Sequence, residues 1–157
     1  MPGLALEGQY FEDIAVGQGF TTPGRTVTEA DIVMFAGLSG DYNQIHTNEE
    51  FGRQTMFGSR IAHGLLGLSI ASGLAARLGF LEGTVIAFLG LEWKFREPIR
   101  AGDTIHVVGS VVERKAMARL GGGIVDFDLE VLNQNGAVAQ KGSWRLLIRS
   151  KPEEPAV

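Results

Sequence analysis

The chain has 157 residues, 45% of them hydrophobic and 20% charged, which is enough for a single domain with a buried core. A net charge of -4 and a pI near 5.4 argue against a nucleic-acid partner, which calls for a basic surface, and against adsorption to an anionic membrane. The absence of cysteine removes disulfides, thiolate metal ligands and a cysteine nucleophile together, and suits a reducing, cytoplasmic setting.

Met1 to Gly19 reads as an extended lead-in, without the basic start and long apolar run of a secretory leader. Phe20 to Val27 is expected as a broken or edge strand, because Pro23-Gly24 interrupts it. Thr28 then opens a helix whose first-turn acids suit its positive end. Ile32, Phe35, Ala36 and Leu38 give that helix an apolar stripe, and Ser39-Gly40 ends it. Asn48 is placed to cap a short helix from Glu49 to Gln54, with Phe51 as its inward anchor.

His63 to Phe80 is the most apolar run. It is shorter than the roughly 20 apolar residues of a spanning helix, and it carries Ser69, Ser72, Arg77 and several glycines. We expect a buried helix from His63 to Leu78, with Leu66, Ile70, Leu74 and Leu78 in one row. Glycine inside a helix costs about 1 kcal/mol relative to alanine, and close approach of a sheet would offset it.

Beyond Gly83 the period changes to two. Leu91, Trp93 and Phe95 alternate with charged residues, as in a half-buried strand. Ile105, Val107 and Val111 mark the inner face of a second strand, and Val125, Phe127, Leu129 and Val131 that of a third. Asp126, Asp128 and Glu130 are its solvated side. Gly121-Gly122-Gly123 reads as a hairpin turn, and Asn135-Gly136 as another, because both residues tolerate positive φ. A last strand from about Ala137 to Ile148 puts Trp144, Leu146 and Ile148 on one face. Residues 1–150 form one domain on this reading, and residues 151–157 a mobile tail. The links between the later strands are too short for crossovers, so the sheet is antiparallel. Curling it around the long helix is the simplest way to bury that helix, which makes the fold class α+β.

The chain is organised around Leu38 to Leu66. Asp41 and His46 can face one water from a single loop, the imidazole accepting and returning a proton near neutrality. The residues alone equally allow an Asx-turn aspartate and a histidine satisfied by a backbone carbonyl. Gly64 starts the apolar helix, where its N–H has no intrahelical acceptor and the helix dipole favours an anion. It reads either as an oxyanion-hole donor or as a packing glycine. His63 is expected to shape the pocket rather than act as a base, and His106 is given no role. The spacing of His46, His63 and His106 matches no metal-binding pattern.

SGDYNQIHTN followed by RIAHGLL resembles the MaoC-like dehydratase family, and within it the (R)-specific enoyl-CoA hydratases. Their motif has the form GD-[FY]-N-x-[LI]-H, then apolar-His-Gly-apolar. The match covers about Thr28 to Gly73, and the F-x-x-P-x-x-x-G-D run from Phe95 to Asp103 agrees with it. The resemblance implies a hot-dog fold and interconversion of a trans-2-enoyl-CoA with a (3R)-3-hydroxyacyl-CoA. It implies Asp41 and His46 as the catalytic pair, Gly64 as the oxyanion-hole glycine, and Asn43 and Ser72 as residues that orient the pair. It implies no metal or redox cofactor, an acyl-CoA as substrate, and at least a homodimer. Arg60, Lys94, Arg96 and Arg100 are available for CoA phosphates. Gln44 and Arg60 stand where the family commonly has proline. Two other readings of the chain are an acyl-CoA thioesterase and a non-catalytic acyl-thioester-binding subunit; the intact Asp41, His46 and Gly64 speak against both.

Overall fold

The computed structural model describes residues 8–153. The start of the lead-in and the end of the tail lie outside the described residues.

A 3-10 turn, Phe11–Asp13, is followed by β1 (Gly19–Thr21) and β2 (Arg25–Thr26), which Pro23-Gly24 keeps apart as expected. Four helices come next: α1 (Glu29–Ser39), α2 (Gln44–Thr47), α3 (Glu49–Arg53) and α4 (Gly64–Ala76). The strands β3 (Val85–Phe95), β4 (Thr104–Met117), β5 (Gly122–Leu132) and β6 (Val138–Arg149) complete the chain. All strand pairs are antiparallel, in the order β1-β4-β5-β6-β3 with β2 also on β4. The predicted inner faces are buried: Ile105, Val107 and Val111 on β4, Val125, Phe127, Leu129 and Val131 on β5, and Trp144, Leu146 and Ile148 on β6. They form one core with Leu66, Ile70 and Leu74 of α4. Each such side chain contributes about 1.5–3 kcal/mol by leaving water. The core wraps α4 and so fixes where its N-terminus opens.

α1 begins with a capping box. Thr28 accepts a hydrogen bond from the Asp31 amide, and the Asp31 carboxylate accepts one from the Thr28 amide at 2.8 Å. That amide, with Arg25 at 2.6 Å, holds the Asp31 carboxyl below the usual carboxylate range. Gly40 ends the helix in the left-handed region at φ 76°, which costs glycine nothing.

Several expectations are corrected. Leu38 is exposed, and only Ile32 and Ala36 of the predicted stripe are fully buried. Phe51 is exposed too; the buried residue of α3 is Gly52, where a Cβ would lie 2.5 Å from the Arg60 amide nitrogen. The close crossing of two backbones, rather than an aromatic anchor, seats that helix. α4 is shorter at both ends than predicted. On β3, Leu91 and Phe95 are exposed, because β3 is an edge strand with only β6 beside it. At the last hairpin only Gly136 has positive φ, since the Asn133 side chain accepts from the Asn135 and Ala137 amides and closes a longer turn. Gly121 ends a 3-10 turn, Ala118–Leu120, while Gly122 and Gly123 already belong to β5. At the C-terminal side, Lys151 pairs with Asp13 and its amide donates to Glu12 at 2.9 Å.

Candidate active site

The turn after α1 sets the site. The Asp41 carboxylate accepts from the Asn43 amide at 3.1 Å through one oxygen. Asn43 in turn caps α2, its side chain accepting from the Ile45 amide at 3.1 Å. Two nested Asx turns thus build a one-turn helix that carries His46 back toward Asp41. The turn-forming aspartate and the acid/base aspartate are therefore compatible, since the turn occupies Oδ1 and leaves Oδ2 free. Asn43 acts on the pair through its amide and its cap. Gln44 takes the first helical position of α2, a place where proline is favoured; its side-chain oxygen accepts from Asn48 instead, at 2.9 Å.

His46 Nδ1 lies 2.8 Å from the Ile61 carbonyl oxygen. A carbonyl only accepts, so Nδ1 carries the hydrogen and Nε2 of the neutral ring keeps its lone pair. Nε2 is 3.9 Å from Asp41 Oδ2, too far for a direct hydrogen bond and close enough for one water to donate to both. The His46 side chain is 12% exposed and that of Asp41 51%, so the pair faces solvent from the carboxylate side. His63, 3% exposed, stacks on His46 with ring centroids 3.8 Å apart and planes 26° apart. Its Nε2 is 2.9 Å from the Asp41 backbone oxygen, and Phe35 packs against it at 5.0 Å. It holds the plane of the His46 ring and the backbone of Asp41.

Gly64 is the first residue of α4. A cleft of about 630 Å³, lined by His46, Phe57, Ile61, Gly64, Leu65 and Phe95 among others, opens beside it. A Cβ on Gly64 would lie 2.7 Å from the Phe95 ring. The glycine therefore serves packing against Phe95, and at the first turn of α4 its N–H has no intrahelical acceptor. The loop before it is clamped: Arg60 pairs bidentately with Glu29, at 2.6 and 2.9 Å, and with Glu49 at 2.9 Å. These carboxylates raise the Arg60 pKa, and Arg60 in return lowers that of Glu49. Arg100 donates to Ser59 and to the Phe57 carbonyl.

Two expectations about the site do not hold within the chain. Ser72 is not brought to Asp41 and His46: it sits two turns further along α4, donates to the Ser69 carbonyl at 2.8 Å, and lines a separate pocket with Trp144 and Leu146. The helix rise alone carries it about 12 Å from Gly64. Arg60 and Arg100 are engaged in the clamp, and Lys94 lies in a polar groove with Glu92, Asp128 and Lys141. Of the four cations considered, Arg96 is the one on the cleft wall. The sequence reading missed the Ile61 carbonyl, Phe95 and Gln140. Gln140 had a signal: it falls in phase with Trp144, Leu146 and Ile148, a polar residue on an apolar face.

Asp41, His46 and His63 present ligand-type atoms within 4.8 Å of one another. The two imidazoles, however, are stacked with their planes only 26° apart. A tetrahedral ion needs both nitrogens converging at about 2.0–2.1 Å. One nitrogen of each ring also already faces a carbonyl. The arrangement fits proton transfer better than metal binding.

An antiparallel sheet around a central helix, with Asp41 and His46 at the helix mouth beside a largely apolar cleft, defines a hot-dog fold. The chain belongs to the MaoC-like family, whose domain model, MaoC like domain, matches residues 12–130. The (R)-specific enoyl-CoA hydratase of Rhodospirillum rubrum is 42% identical over 111 residues, 68% of this chain and 74% of that protein. Protein MaoC of Klebsiella aerogenes is 45% identical over 100 residues, 63% of this chain, but these span only 29% of that longer protein. The crystal structure of the MaoC-like dehydratase from Rhodospirillum rubrum superposes with a TM-score of 0.84 at 31% identity, covering 92% of this chain and 99% of that one.

Proposed function

We propose that the protein interconverts trans-2-enoyl-CoA and (3R)-3-hydroxyacyl-CoA. The observation that carries this reading is the tautomer of His46, whose free Nε2 faces the Asp41 carboxylate across the space of one water. The thioester carbonyl accepts a hydrogen bond from the Gly64 N–H, which makes C3 electrophilic. As the water oxygen bonds to C3, His46 takes one of its protons and the electron pair moves to the thioester oxygen. The carbonyl re-forms as the Asp41/His46 pair returns a proton to C2 on the same face. The proton taken equals the proton returned, so the cycle closes without a metal or redox cofactor. Dehydration is the same path reversed.

Arg96, on the cleft wall, is suited to a CoA phosphate. The edge strand β3 exposes Val85, Ile86, Phe88, Leu89 and Leu91, and such an edge is covered in a stable protein. A second copy of the chain is the proposed cover. No helix among the described residues is long and apolar enough to cross a membrane.

Crotonyl-CoA tests the reaction class. Incubation is expected to remove the enoyl absorbance without releasing free thiol. Thiol release would make the protein a thioesterase, and no change across a panel of chain lengths would leave it a binder.

A further inference from the structure

We infer that Gln140, held by Trp93, is a positioning residue that aims the Gly64 amide from outside α4. The inference rests on the reading of Gly64 as donor to the thioester oxygen. Gln140 is 2% exposed, and a buried primary amide has to find partners. The Trp93 indole can only donate, and it donates to Gln140 Oε1 at 3.0 Å. That fixes the amide's orientation, so Nε2 is the atom that reaches the Gly64 carbonyl, also at 3.0 Å. The carbonyl has a second lone pair for its bond within the helix.

A glycine at the start of a helix has no side chain to hold its backbone, and a wide range of φ/ψ is open to it. Gln140 supplies the missing hold by pinning the Gly64 carbonyl. An oxyanion donor works best when it is already aimed and need not reorganise as charge develops. Two other glycines make the arrangement possible. A Cβ on Gly67 would run into Gln140 Nε2, and one on Gly142 would run first into the Glu92 carbonyl oxygen and then meet the Trp93 ring at 2.7 Å. Glycine at 67, in a helix where it is otherwise unfavourable, is explained by Gln140, while glycine at 142 answers first to the close approach of the β3 backbone.

Gln140→Glu tests this at nearly constant size. The ionised carboxylate still accepts from Trp93 but sets an acceptor against the Gly64 carbonyl; the protonated form donates as the amide does. Turnover of crotonyl-CoA is measured from pH 5 to 8, and kcat of the variant is divided by that of the wild type at each pH, which cancels pH effects common to both enzymes. At pH 8 the ratio is expected to be lower by about 10–100-fold with KM little changed. It should climb as the pH falls through the pKa of the new carboxyl, which burial raises. Gln140→Met, which donates at no pH, should give a low and flat ratio. A flat or unreduced ratio for Gln140→Glu, with an active wild type, overturns the inference. If Gln140→Glu fails to fold, Gly67→Ala takes its place: kcat falls with KM held if the inference is right, and an unchanged kcat overturns it. An inactive wild type overturns the hydratase reading instead. The relay is then read without turnover, from the Gly64 amide resonance of [15N]glycine-labelled protein. It should move with the carboxyl titration in Gln140→Glu and stay put in wild type; an immobile resonance in both overturns the relay.

Discussion

His46→Gln is expected to lower kcat for crotonyl-CoA hydration by about 10²–10⁴-fold, the range for loss of a positioned general base. The substitution removes the imidazole lone pair that faces the water; the glutamine amide overlays Nε2 rather than Nδ1, so the Ile61 carbonyl, which now sits 2.8 Å from Nδ1, is reached only by a shift of the side chain. Asp41→Asn should cost a comparable factor. The asparagine carbonyl can keep the turn to the Asn43 amide, so the fold is held while the second acceptor for the water is lost. The two side chains act on the same water, so the double variant should be little worse than the weaker single variant. Circular dichroism and Tm near wild type would show that the chemistry, rather than the fold, was removed. Near-wild-type turnover in either single variant would take that residue out of the mechanism.

Gly64→Ala should lower kcat by about 10²–10³-fold, the loss typical of one oxyanion donor. Its Cβ would meet the Phe95 ring at 2.7 Å. Phe95 is an exposed edge-strand side chain that can swing aside, so stability should hold, all the more because alanine favours a helix over glycine. Activity is thus expected to fall while Tm stays level or rises, and that combination separates an obstructed amide from a damaged fold. Unchanged kcat would leave Gly64 as a packing glycine only.

Residues whose partners lie nearby in sequence, or whose alternation is regular, could be read without coordinates. The faces of β4, β5 and β6, the cap at Thr28, the break at Pro23-Gly24 and the long apolar helix are of this kind. β3 escaped because edge position is a property of the assembled sheet, and a run such as Leu91-Glu92-Trp93 looks the same at an edge as in the middle. Phe51 misled because burial in α3 is set by the crossing of Gly52 with the Arg60 backbone, a contact between segments. In the site, Asp41, His46 and Gly64 stood out through their motif. The tautomer of His46 did not, because it depends on the Ile61 carbonyl, and neither did the bond from Gln140 to Gly64, which spans 76 positions. Ser72 was placed with the pair on family pattern, and helix rise puts it elsewhere.

The central claim is that one water, held by His46 and Asp41, supplies both the hydroxyl and the C2 proton on a single face of the double bond. Hydration of crotonyl-CoA in D₂O, with the stereochemistry of the product read by NMR, tests it most directly. The expected product is (3R)-3-hydroxybutyryl-CoA with one deuterium at C2, added syn to the new oxygen. A 3S alcohol, or deuterium delivered to the opposite face, would contradict it.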